Sequence, residues 1–190
     1  MKQENNSNFI LNATLVLTKV FELLHWLGTA SMLALAVCSL ATKTWLQNLL
    51  DGLAPDFGPE LSSYGFEMTV TDSNGQVSMT AVMLFALAAA MIFSFMAMVF
   101  RNIYLITRKS KDSTPFLPDN IRMLKEIGIF AISVPVVGLV MSTLARLILG
   151  VDAVETSVNL YGFSMGLIVL CLTQFFIHGV ELEKDVDGLL

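Results

Sequence analysis

Four long apolar segments, at 21–41, 79–100, 127–149 and 157–180, dominate the chain, and the cations between them fall almost entirely to one side. A helix needs about 20 apolar residues to cross a hydrocarbon layer roughly 30 Å thick, and each segment meets that requirement. With the N-terminus in the cytoplasm, Lys2, Lys19, Arg101, Arg108, Lys109, Lys111, Arg122, Lys125 and Lys184 lie inside, nine of the 11 Lys and Arg residues. Only Lys43 and Arg146 sit at or near the outer face. Loops on the cytoplasmic side collect Lys and Arg because moving them across the bilayer is disfavoured. The pattern predicts an all-α integral membrane protein of four antiparallel transmembrane helices, with an outer loop at 42–78, an inner loop at 101–126 and a cytoplasmic tail at 181–190.

Composition bounds the rest. A chain of 190 residues with 55% hydrophobic and 14% charged residues is too apolar for an ordinary soluble domain. No stretch between the segments is long enough to bury a core of its own, so residues 1–190 read as a single membrane domain. The net charge of −5 is unevenly placed: the outer loop carries Asp51, Asp56, Glu60, Glu67 and Asp72 against Lys43, whereas the inner loop is basic. A basic strip beside a span suits anionic lipid headgroups. It lacks the density and aromatic interleaving of a nucleic-acid surface, so no direct nucleic-acid partner is expected. The first 19 residues are polar, include Glu4 and have no compact basic start, so the first segment reads as a retained anchor. Cys38 and Cys171 fall at different depths in this topology and are expected to be separate thiols, since a disulfide needs Cα atoms within about 7 Å.

The outer loop carries the only β signal. Tyr64, Phe66, Met68 and Val70 alternate with Gly65, Glu67 and Thr69, and Asn74-Gly75 supplies a dipeptide suited to a type I′ turn. A small extracytoplasmic β-hairpin is expected to lie over the outer helix ends, because two strands alone are marginal in water. The second segment concentrates small residues at Ala86, Ala88, Ala89, Ala90 and Ser94, and the fourth carries Gly162 and Gly166 in GxxxG spacing. Small residues let helices approach closely in lipid. These faces are expected to pack within the molecule, with a homo-oligomer interface as the alternative. Pro135 removes a backbone donor and crowds the preceding turn, which predicts a kink near Gly138.

The inner loop holds the most specific stretch, residues 114–128. Pro118 suits a first helical position and Asp119 complements the positive end of the dipole. Arg122 and Glu126, four residues apart, are spaced to pair. One reading is an amphipathic lead-in to the third helix, anchored by Phe116. The sharper reading makes Pro115, Phe116, Asn120 and Arg122 a docking site for a cytoplasmic protein, with the tail acids Glu181 and Glu183 on the same surface. In that reading Asn120 bonds backbone near the exit of the fourth helix, and the basic residues of the loop face Glu181, Glu183, Asp185 and Asp187.

The Pro-Phe-x-x-x-Asn pattern of Pro115, Phe116 and Asn120, with the Ile-Arg-x-Leu-Lys-x-Ile-Gly run that follows, resembles the bacterial four-helix membrane proteins catalogued as domain of unknown function 2975. The tail at 179–189, a glycine, then Glu-Leu, then acids, then a short apolar finish, is similar to theirs as well. The resemblance covers roughly the second half of the chain. It implies a multi-pass protein of the bacterial inner membrane, without catalytic residues, that accompanies a small helix-turn-helix regulator.

His25 and His178 are the remaining candidates for chemistry, lying on antiparallel helices near one face. With no third histidine, a zinc site built on three histidines is excluded. They are weak candidates for a metal or haem, and the expectation is two interfacial side chains with no metal and no cofactor. Glu22 and Arg146 sit close enough to helix ends to reach the interface. No ionisable residue occupies the middle of any segment, and no protease, CxxC or nucleotide-binding motif appears. The sequence therefore predicts a non-enzymatic membrane protein that binds or tethers a partner. An oligomeric channel or transport accessory is the alternative.

Overall fold

The computed structural model describes residues 2–40, 44–45, 48, 52, 60–71, 76–111, 114, 117–150 and 156–187; at 2–8 and 183–187 it describes the backbone alone. The elements run α1 (Lys2–Cys38), β1 (Glu60–Ser63), β2 (Phe66–Thr69), α2 (Met79–Lys109), α3 (Pro118–Leu149), β3 (Thr156–Val158) and α4 (Tyr161–Asp187). Each of the four helices contains a stretch long and apolar enough to cross a membrane. They pack in chain order, α1 on α2, α2 on α3 and α3 on α4. We call the end carrying Lys109 and Pro118 the basic end and the opposite end the sheet end.

The helices are longer than their apolar stretches. α1 begins at Lys2, well before residue 21, and α2 continues past Phe100 to Lys109. Ser78 caps α2 by accepting from Ala81 N–H, and Arg108 and Lys109 fill its last turn, where cations complement the negative end of the dipole. α3 starts with Pro118 at its first position and Asp119 in its first turn, as its sequence signals predict. The helix runs unbroken through Pro135 to Leu149. Cys38 and Cys171 are free thiols.

The β structure departs from the sequence expectation in three ways. First, the hairpin turns at Tyr64-Gly65, where φ is 50° and 80°, the two positive values a type I′ loop requires. Asn74 and Gly75 lie outside the described residues. The bridge between Thr71 and Val77, with the bond from Ser78 N–H to Val70 O at 2.8 Å, reverses the chain a second time around them. Second, the sheet has three antiparallel strands in the order β1-β2-β3, with Phe66 opposite Val158 and Met68 opposite Thr156. The fourth segment is thus not helical from residue 157. The β-branched pair Thr156 and Val158 favours the strand, and Asn159 Oδ1 accepts from Tyr161 N–H at 2.9 Å to start the helix only there. Third, the sheet does not lie over the helix ends. Phe66 and Met68 are 2% and 1% exposed and pack among Phe85, Ala88, Val134 and Met141 inside the bundle.

One face of α3 explains the arrangement. Gly128, Ala131, Pro135, Gly138, Ser142 and Ala145 recur at helical spacing and keep that face shallow. Toward the sheet end it receives the sheet: a Cβ on Gly138 would lie 3.1 Å from Val158, and Ser142 Oγ bonds Thr156 Oγ1. Toward the basic end it receives α4: a Cβ on Gly162 would lie 2.9 Å from Ala131 O, and one on Gly166 would lie 2.7 Å from Gly128 O. Pro135 has no N–H for Ala131 O, so the carbonyl facing Gly162 lacks its usual helical partner. α4 therefore begins halfway along α3, and the sheet occupies the place that its missing half would fill.

Candidate functional site

Two regions stand out, a polar one at the basic end and an apolar cavity beneath the hairpin tip. At the basic end side chains tie the last turn of α2 to the first turn of α3. Asn120, 1% exposed, donates from Nδ2 to Ser110 Oγ, the C-cap of α2, at 3.4 Å. Lys109 Nζ donates to Asp119 at 2.7 Å, and Arg122 lies 3.8 Å from Glu126. Asn102, buried on α2, donates to the other Glu126 oxygen at 3.0 Å. Arg108, Lys111, Arg122 and Lys125 remain exposed around this framework.

The same level is marked on α1. Lys19 pairs with Glu22 at 2.9 Å and lies 5.4 Å from the centroid of the Tyr104 ring. With Asn102 and Glu126, these residues draw a polar belt across α1, α2 and α3. Sequence reasoning missed Asn102, which reads there as the polar residue after a span. Its signal was its place beside Arg101, facing a glutamate on the next helix.

The remaining expected site residues divide. Pro115 and Phe116 lie outside the described residues. On α4, His178 Nδ1 lies 3.0 Å from Glu181, and both side chains are exposed. Glu183 belongs to the helical backbone of α4, with its side chain outside the described set. Glu181 thus has a partner one turn away on its own helix. Gly162 and Gly166 face α3, and Ala86, Ala88, Ala89 and Ala90 are buried on α2, so both small-residue faces are used within one molecule.

The histidines do not form a pair. His25 is 7% exposed, and both its ring nitrogens are engaged. Nδ1 lies 2.6 Å from Phe21 O, and Nε2 bonds the Tyr64 hydroxyl. A carbonyl only accepts, so Nδ1 carries the hydrogen, and in the neutral ring Nε2 accepts from Tyr64 O–H. Phe93 and Phe100 complete an aromatic cage around the ring, at 5.8 and 5.0 Å between centroids. Neither nitrogen is open to a metal or haem iron, which removes His25 as a ligand. Instead the bond fixes the hairpin tip, where Tyr64 holds a backbone conformation that L residues other than Asn and Asp rarely adopt. Among the described residues no cluster of His, Cys, Asp and Glu has the makings of a metal site.

Beneath the tip lies the second region, a cavity of about 500 Å³ between α2, α3 and α4. Met96, Val99 and Ile103 form one wall and Ile127, Ala131 and Val134 the floor. Gly162, Met165 and Val169 form the opposite wall, and Tyr64, Gly65, Asn159 and Tyr161 close the end toward the sheet. Along α2 and α3 the cavity spans seven residues, about 10 Å. Comparison with known proteins adds no assignment: no protein family, curated protein or solved structure matches the chain.

Proposed function

We propose that this chain is a non-enzymatic multi-pass membrane protein that tethers a cytoplasmic protein through its basic end. The observation that carries the reading is the side-chain tie between the end of α2 and the start of α3. Buried Asn120 fixes the start of α3 to the C-cap of α2, while Arg108, Lys111, Arg122 and Lys125 stay exposed. A preorganised surface binds with less ordering cost than a loose one. The nine-to-two division of Lys and Arg supports a cytoplasmic position for this end. The resemblance to the bacterial four-helix family supports the bacterial inner membrane and a small helix-turn-helix regulator as the partner. The acidic tail beyond Glu181 would complete the surface as a releasable latch, since exposed ion pairs contribute little individually and weaken with salt.

An oligomeric channel assembled through the small faces of α2 and α4 is less well supported, because those faces already pack inside the monomer. Reporter fusions to the 112–116 segment and to the C-terminus test the topology; an extracytoplasmic signal from the 112–116 fusion would reverse it. Affinity capture from mild detergent tests the tether. Asn120→Ala and Phe116→Ala should each abolish co-purification of a cytoplasmic protein while leaving membrane levels unchanged. Liposomes that leak selectively, with no co-purifying protein, would favour the channel instead.

A further inference from the structure

Tethering at the basic end makes no use of the cavity beneath the hairpin tip. Its volume of about 500 Å³ falls in the range of small-molecule sites, roughly 300–1,000 Å³. Among the described residues its lining includes no Asp, Glu, Lys, Arg or His. That excludes ions and charged metabolites, because a buried charge without a partner is costly. The body of the cavity is apolar and includes Met96 and Met165, whose flexible thioethers adapt to irregular shapes.

The polar groups are gathered at one end and can be sorted into donors and acceptors. The Tyr64 hydroxyl proton is committed to His25. Asn159 uses Oδ1 to accept from Tyr161 N–H at 2.9 Å, which leaves its Nδ2 as the donor at the wall. Tyr161, also in the lining, adds a hydroxyl that can donate or accept, so a ligand with an acceptor oxygen finds donors at this end, while a charged one finds no ion-pair partner.

Depth narrows the class further. Gly162, beside the polar end, packs against Pro135, nine residues or about 13 Å along α3 from Glu126 in the polar belt. The polar end of the cavity therefore lies about 13 Å from the belt along the bundle. A phospholipid whose ester oxygens lay level with the belt would bring only its acyl chain to this end. We propose that the cavity binds a neutral, carbonyl-headed lipophile, with the carbonyl accepting from Asn159 Nδ2 and the apolar body lying between Met96 and Met165 toward the belt. Long-chain ketones and lipophilic quinones share this chemistry. The proposal rests on the membrane reading above.

The test uses the full chain in lipid nanodiscs and a long-chain ketone bearing a photoactivatable diazirine. Label is expected on peptides containing Met96 to Ile103 and Met165 to Val169. Methyl undecyl ketone or decyl benzoquinone should displace it, and whichever acts at lower concentration identifies the source; dodecane, without a head, should not. Asn159→Asp keeps the acceptor for Tyr161 N–H but removes the donor, and should raise the displacing concentration about tenfold. Val169→Trp should fill the cavity and abolish labelling with the helical circular dichroism unchanged. Label spread evenly over lipid-facing residues, displacement by dodecane, or Asn159→Asp behaving as the parent would each overturn the proposal while leaving membrane insertion standing. Recovery of the chain as a soluble, lipid-free protein would overturn both.

Discussion

The two halves of the bundle use the same face of α3 in opposite ways. Toward the sheet end, large side chains do the packing: Phe66 stacks on Phe85 with ring centroids 5.9 Å apart, and Phe66 and Met68 are almost wholly enclosed. Toward the basic end, backbone does the packing: Gly162 and Gly166 bring α4 against the carbonyls of Ala131 and Gly128. Only 11% of the apolar stretch of α4 is buried, against 56% for α2. A helix held by a narrow glycine seam leaves the space beside the seam unfilled, which is where the cavity lies. A sheet with alternating large residues fills its half. Close backbone approach and dense side-chain filling are thus alternative solutions on one surface, and only the first leaves room for a guest.

This contrast can be broken from either side. Phe66→Ala removes a ring from the filled half and should cost the most, about 3–5 kcal/mol, measured by thermal unfolding in detergent. Gly166→Leu attacks the seam, where a Cβ would already lie 2.5 Å from Ile132. Overpacking of this kind costs about 1–3 kcal/mol, and it should separate α4 from α3 while leaving the sheet intact. A double cysteine cross-link between β2 and β3 would report that the sheet survives. Cross-linking lost together with α4 packing would mean the halves are one cooperative unit.

The join between the halves is the His25–Tyr64 bond, and a double-mutant cycle sharpens it. His25→Phe or Tyr64→Phe alone removes one partner and should destabilise by about 1–3 kcal/mol if the other is left unsatisfied in the bundle. The double replacement should cost less than the sum of the two. Additive losses would show that the bond contributes nothing beyond packing. Smallest of all is the exposed rim: Lys109→Ala removes the pair with Asp119 and should leave the melting temperature unchanged, because exposed pairs contribute little.

Much of the helical half was readable in the sequence. Four apolar runs of spanning length, the Pro118 start and the Arg122–Glu126 pair all follow from local spacing, and so appear in the fold. The sheet half was harder for physical reasons. Tyr64 at positive φ contradicts the preference of its residue type, so the turn at Tyr64-Gly65 was hidden, whereas the reversal between Thr71 and Val77 was legible. β3 is three residues long and is continuous with an apolar run, so no period distinguishes it from the helix that follows. His25 looked interfacial because its partner is 39 residues away, on a segment whose depth no local pattern encodes. The cavity is an absence of atoms between three helices, and a one-dimensional pattern carries no record of it.

The late arrival of β3 has a consequence for how the chain is made. β2 is paired with β1 on one edge from the start, but its other edge waits for Thr156–Val158, almost ninety residues later in synthesis. Until then the backbone donors and acceptors on that edge of β2 have no strand partner. The middle strand therefore gains its second partner only once residue 158 has been made, while β1 and β3 keep one open edge each in the finished sheet. The filled half of the bundle is thus the part that cannot be completed until most of the chain has been made.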